Sequence, residues 1–251
     1  MTQNDYRRFS NLTFDQFREL AKQSSLSRYE KIGFPDCYRK DKEAFIYQDL
    51  VAKLPALMKD GSVILDIGPG CSDLPHMLIK NAATHGQKLI MVDSEEMLAH
   101  LPDEPQLEKI AAYYPCCEAL FEKYTKKVDA IIIYSVLHYI FVEGNIWEFL
   151  DKSLSLLAPS GQILIGDIPN ISKRKRFFAS EAGVKFHQEF THTNEIPPVE
   201  FNRIEENQLD DSVILSLVMR ARSQGFDAYI LPQPCSLPMA NRREDILIVR
   251  P

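Results

Sequence analysis

From Gly61 onward the chain alternates short, wholly apolar runs with stretches of helical periodicity, and this rhythm restricts the fold more than any other feature. Ser62-Val63-Ile64-Leu65-Asp66-Ile67, Lys88-Leu89-Ile90-Met91-Val92-Asp93 and Val128-Asp129-Ala130-Ile131-Ile132-Ile133-Tyr134 read as strands buried on both faces. A weaker strand is predicted near residues 108–113, a fifth over 162–168, and two more over 226–231 and 245–249. Helices separate them. One opens near Asp73, a predicted N-cap, with Pro75 in its first turn, and Ser94-Glu95-Glu96 opens the next. A third sets Ile146, Phe149, Leu150, Ser153, Leu154 and Leu157 on one face and ends at Ala158-Pro159-Ser160-Gly161; a fourth spans 212–223. Doubly buried strands joined by helices require a mostly parallel sheet covered on both sides, an α/β architecture.

Two regions stand outside the rhythm. Residues 1–60 read as mainly helical, with candidates at 13–24 and 42–53, and form an expected cap on a domain of residues 61–251. Residues 169–210 are too long for an ordinary connection and read as an insertion on the substrate side of that domain. Composition then narrows the partners. A net charge of −6 offers no general attraction to nucleic acid phosphates. No apolar run is long enough for a bilayer, and the first eight residues lack the apolar stretch of a secretion leader. The five cysteines are odd in number and lack CxxC spacing, as expected of reduced thiols rather than a disulfide or zinc framework. The expectation is a cytoplasmic protein acting on a small molecule, with no nucleic acid and no membrane as partner.

In an open parallel sheet, ligands bind beyond the carboxyl ends of the strands where the strand order reverses. Leu65-Asp66-Ile67-Gly68-Pro69-Gly70-Cys71-Ser72-Asp73 occupies such an end. Its glycines let the backbone turn sharply and approach a ligand, and the following helix presents unpaired N–H groups. The next strand ends in Asp93, whose carboxylate suits the two hydroxyls of a ribose. A dinucleotide loop of the form GxGxxG would need a glycine where Asp73 stands, which disfavours NAD.

On these residues the chain resembles the class I S-adenosylmethionine (SAM) dependent methyltransferases. The resemblance is carried by Val63-Ile64-Leu65-Asp66-Ile67-Gly68-Pro69-Gly70, Met91-Val92-Asp93, the run from Val128 to Tyr139, and Leu157-Ala158-Pro159-Ser160-Gly161-Gln162-Ile163-Leu164-Ile165. It implies a Rossmann-like sheet of seven strands with the last one antiparallel, SAM as cofactor and S-adenosylhomocysteine (SAH) as product. It also implies that Asp66, Gly68 and Gly70 hold the methionine part of SAM and Asp93 the ribose. Residues after the third and fourth strands, Ser135 among them, would flank the adenine and sulfonium. The third glycine expected in the loop is replaced by Ser72. A looser likeness, in Gly166-Asp167-Ile168-Pro169-Asn170 and Asn241-Arg242-Arg243-Glu244-Asp245, is to uncharacterised methyltransferases associated with bacterial surface sugars.

Motifs of nucleic acid methylation are missing where they belong. Ser135-Val136-Leu137-His138 follows the fourth strand in place of an Asn/Asp-Pro-Pro signature or a Pro-Cys nucleophile; Pro115-Cys116 and Pro234-Cys235 lie elsewhere. Transfer to oxygen gains from a base, and His138, Tyr139 and Asp167 are the catalytic candidates, just past the fourth and fifth strands. Asp129 opens a strand and is expected to be structural. In the insertion, Lys173-Arg174-Lys175-Arg176 points to an anionic acceptor, with Arg174, Arg176, Asn170 and His187 as substrate-binding candidates. Arg28 or Tyr29 is expected near the cofactor carboxylate. His187, Glu189 and His192 lack the spacing of a helical zinc site, so no metal is expected. The sequence-level function is methyl transfer from SAM to an oxygen or nitrogen of a small, anionic metabolite or sugar; the alternative is a non-catalytic SAM- or nucleotide-binding sensor.

Overall fold

The computed structural model describes residue 9 and residues 12–251; the leader expectation concerns residues 1–8, which lie outside the described residues. Seven strands form one sheet: β1 (Val63–Ile67), β2 (Lys88–Asp93), β3 (Leu107–Ala111), β4 (Val128–Tyr134), β5 (Leu157–Pro169), β6 (Asp227–Pro232) and β7 (Arg243–Val249). Their order is β3-β2-β1-β4-β5-β7-β6, with β7 antiparallel to both neighbours and the other pairs parallel. The order reverses between β1 and β4, so the loops leaving those two strands diverge and open a crevice at their carboxyl ends.

Period-two alternation sends neighbouring residues to opposite faces, and both faces are covered. Leu65, Ile67, Ile90, Ile131, Ile133 and Ile165 enter one core cluster, and Ile64, Leu89, Met91, Ala130, Ile132 and Leu164 enter the other. The first face is closed by α7 (Glu118–Tyr124), α8 (Leu137–Glu143), α9 (Ile146–Leu156) and α12 (Asp211–Ser223). The second is closed by α4 (Glu43–Lys53), the 3₁₀ turn Pro55–Met58 and α5 (Asp73–Thr84). Short helices α1 (Phe14–Lys22), α2 (Arg28–Lys31) and α3 (Asp36–Arg39) precede α4, and α6 (Glu95–Leu98) follows β2. Ala21, Cys71 and Met97 form a small buried cluster with Phe17 and Ile32 against it, fastening α1 beside the loop after β1. Asp129 accepts a hydrogen bond from Val63 N at 2.8 Å, a structural role as expected. The insertion folds into α10 (Ile171–Phe178) and α11 (Glu181–Thr191), and residues 192–210 run on without helix or strand. No described helix is long and apolar enough to cross a membrane.

Two expected boundaries differ. Leu157 is not the last residue of a helical face: α9 stops at Leu156, and Leu157 already pairs with Val128 in β5. A register shift between Val128 and Ala130 absorbs Pro159-Ser160-Gly161 inside the strand, so the expected turn became a bulge. The N-cap of α5 is Ser72 rather than Asp73, and neither side chain caps the helix. The carboxylate of Glu43, reaching across from α4, accepts from Leu74 N at 2.6 Å instead.

Candidate functional site

The loop after β1 is built around two glycines in the left-handed region, Gly68 (φ 69°) and Gly70 (φ 65°). A Cβ on Gly68 would stand 2.6 Å from Val136 Cγ2, and one on Gly70 would stand 2.5 Å from Ile32 Cγ2. Both conformation and space therefore demand glycine here. Gly70 N donates to Asp93 Oδ2 at 2.9 Å and Ser94 N to Asp93 Oδ1 at 2.7 Å, so the second strand end is tied to the loop. Each Asp93 oxygen keeps acceptor capacity for a further donor. Burial raises the Asp93 carboxyl to about 6, against the pull of those two N–H groups. Asp66 is buried beneath the loop, and burial, with Asp93 nearby, raises it to about 8.

Above this floor lies a cavity of about 960 Å³, measured out to its open mouth. Gly68, Pro69 and Gly70 line one side, Asp93 and Met97 the next, Tyr113 and Tyr114 follow β3, and Ser135, Val136 and Tyr139 follow β4. The N-terminal helices supply the rest: Phe14, Phe17, Ile32, Phe34, Arg39 and Glu43. Phe17 meets Tyr139 edge-on at 4.9 Å, and Phe14 meets Tyr113 at 5.1 Å, closing the aromatic wall. Glu43 Oε1 is buried with no partner among the described residues, and burial raises that carboxyl.

Behind Arg39 and Ser135 in the cavity wall lies a buried charge cluster. Arg39 Nη2 donates to Ser135 Oγ at 2.6 Å and to Asp167 Oδ2 at 3.3 Å. Arg243 Nη1 donates to the same Oδ2 at 3.0 Å and to Asp167 O at 2.9 Å, and Ser135 Oγ donates to Oδ2 as well. Asp167 N donates to the fully buried Asp245 at 2.8 Å, which holds Asp167 at φ 58°. The Asp167 carboxylate is thus engaged by two guanidinium groups and a hydroxyl. His138 Nδ1 is buried without a partner among the described residues, and burial, then Arg243 and Arg39, lower the imidazole to about 3. Burial pushes the Tyr139 hydroxyl up to about 12.

The structure thus brings Gly68, Gly70, Asp93, Ser135 and Tyr139 onto one cavity, whereas Asp66, His138 and Asp167 do not line it. Asn170, Arg174, Arg176 and His187 lie outside it on the insertion. Asn170 Oδ1 caps α10 and its Nδ2 donates to Asp211 and Glu244, while Arg176 Nη1 pairs with Asp211 at 2.5 Å. Lys173 and Lys175 donate to the carbonyls of Arg243 and Arg203. Three of the four adjacent cations are therefore spent on the chain's own oxygens, and only Arg174 keeps a guanidinium without an ion pair among the described residues. His187 touches Phe178 edge-on. Arg28 and Tyr29 both bond Asp73 rather than facing the cavity. Arg39 and Glu43 went unseen in the sequence: four apart among polar neighbours, they match a surface ion pair, and no local signal marks them as buried.

The sheet order, its antiparallel β7 and the cavity at the β1–β4 reversal are those of the Rossmann-like fold of SAM-dependent methyltransferases. Among solved structures, the chain is similar to the plantazolicin methyltransferase BpumL in complex with SAH, at 16% identity and a TM-score of 0.54, covering 99% of each chain. It is also similar to the N-methyltransferase NodS from Bradyrhizobium japonicum with SAH (12% identity, TM-score 0.53, 95% of this chain and 98% of that one). A SAM-dependent methyltransferase from Aquifex aeolicus matches at 15% identity and a TM-score of 0.52, over 89% of this chain and 99% of that one. At these identities the likeness is one of fold. No protein-family model and no curated protein matches the sequence.

Proposed function

We propose that the chain is a SAM-dependent methyltransferase whose acceptor is a small anionic molecule methylated on oxygen or nitrogen. The observation that carries this reading is the convergence of Gly68, Gly70, Asp93 and Ser135 on one cavity at the reversal of strand order. The residues fit the cofactor. Two glycines whose Cβ atoms would collide leave bare backbone beside the ligand space, Asp93 retains acceptor capacity for a ribose, and the buried, partnerless Glu43 Oε1 suits an ammonium group. Bound SAM supplies an electrophilic methyl on a sulfonium. The aromatic lining excludes water, and the segment of residues 12–60 closes over the cavity through Phe14, Phe17, Ile32 and Phe34.

On the acceptor side, Arg39, Arg243 and Ser135 already occupy Asp167 Oδ2, and neutral His138 is an acceptor of hydrogen bonds rather than a store for the substrate's proton. This favours an acceptor atom that is nucleophilic on arrival, an amine or an already ionised oxygen, aligned for in-line displacement. Calorimetric titration with SAH tests the cofactor assignment, and SAH release on adding candidate acceptors tests the transfer.

A further inference from the structure

The start of β7 lies at the same sheet edge as the glycine loop, because β7 is antiparallel: Arg243 pairs with Pro169 and Glu244 with Ile168, at the carboxyl end of β5. Arg242, just before β7, points its guanidinium carbon over two rings, 6.0 Å from the centre of Phe178 and 5.7 Å from that of Phe186. Arg174, from α10, sits over the same Phe178 ring at 5.1 Å. Two guanidinium groups thus share one aromatic ring, and Arg243 stands beside them. Arg242 is half-buried, and among the described residues neither it nor Arg174 has an ion-pair partner; the Arg242 guanidinium makes a 3.3 Å contact to the amide oxygen of Asn241. The carboxylate beside Arg243, that of Asp167, is already bonded by Arg39, Arg243 and Ser135. Phe178, Phe186 and Phe177 pack on one another with centroids 5.1–6.3 Å apart, so the rings are a fixed platform.

Gathering cations without counter-charge costs energy in the free protein, through repulsion and lost hydration. Burial lowers the pKa of Arg242, as do the neighbouring Arg243 and Arg174 charges, against the opposing pull of Tyr38. An anion relieves that cost, and a planar guanidinium offers paired donors to carboxylate or phosphate oxygens. We propose that Arg242 and Arg174, on the Phe178–Phe186 platform, form the subsite that anchors the acceptor by a carboxylate or phosphate attached to a flat ring. This rests on the methyltransferase reading for its link to catalysis. The anion itself is a handle, separate from the methylated atom, because neither Arg242 nor Arg174 lines the cavity.

Calorimetric titration of benzoate and of phenyl phosphate into SAH-saturated protein and into free protein tests this, with R242Q, R242K and R174Q beside the wild type. The proposal expects wild-type binding of at least one probe and a loss of at least tenfold in R242Q. R242K should recover part of that loss, and R174Q should show a smaller one. Salt should weaken the wild-type binding. SAH affinity should be unchanged in all three variants, which melt within a few degrees of the wild type. Equal probe affinity in wild type and R242Q, or no probe binding at millimolar concentration, overturns it. Failure of SAH to bind wild-type protein would sink the cofactor reading instead, and the probe titration of free protein would still decide the subsite.

Discussion

Replacing Gly70 by alanine separates the two demands the loop makes on that position. The backbone is left-handed at φ 65°, and the new Cβ would stand 2.5 Å from Ile32 Cγ2. A non-glycine residue in the left-handed region costs about 1–2 kcal/mol. Forcing a methyl into filled space adds about 1–3 kcal/mol, since Ile32 is held by the small cluster of Ala21, Cys71 and Met97. The sum, about 2–5 kcal/mol, corresponds to a fall in Tm of roughly 5–15 °C for a chain of this size. Gly225 is the matched control: its φ is 87°, but a Cβ there would meet nothing within 4 Å. Gly225→Ala should therefore show the backbone cost alone, about 1–2 kcal/mol. Differential scanning calorimetry reads both. Gly70→Ala should also lose SAH affinity, because the added methyl displaces either the loop or the Ile32 segment that lines the cavity. Equal melting temperatures for the two variants, with SAH affinity retained, would refute the claim that the loop and the N-terminal cap are in obligatory contact.

Asp93→Asn keeps the shape but turns one oxygen into a donor facing either Gly70 N or Ser94 N, and it removes the charge that a ribose would meet; SAH affinity measured by calorimetry should fall at least tenfold. The pH dependence has a definite sign. Burial holds the Asp93 carboxyl at about 6, and the ionised form is the better acceptor, so SAH affinity is full above about pH 7 and falls as pH drops through 6. A profile that is flat between pH 5 and 8 in the wild type, or equally steep in Asp93→Asn, would contradict the assignment.

The sheet was legible because doubly buried strands need unbroken apolar runs, and β1, β2 and β4 have them. The glycine loop and Asp93 were legible because their chemistry is local: a sharp turn, a bare backbone, an acid at a strand end. The acceptor side was not. Lys173-Arg174-Lys175-Arg176 is a dense positive run in sequence, but on α10 it fans out, and the folded chain matches Arg176 with Asp211 and Lys175 with the Arg203 carbonyl. Arg39, Arg242 and Arg243 carry their significance only through partners far along the chain, such as Asp167 and Phe186, which nothing local announces. His138 and Asp167 sat where a base belongs by order along the chain. What order along the chain does not show is that Arg39 and Arg243 bond Asp167 and that burial lowers the His138 imidazole, which depends on how β7 and the N-terminal segment pack there.

The central claim is that the cavity between the β1 loop, Asp93 and Tyr139 holds the adenosyl cofactor, and titration of SAH into the unmodified protein at pH 7.5 tests it most directly. The account predicts one site per chain, competition by SAM, and a melting temperature that rises with ligand concentration, by mass action worth about 2.7 kcal/mol at a hundredfold excess over Kd. The absence of both a heat of binding and a shift in melting temperature at millimolar SAH would contradict it.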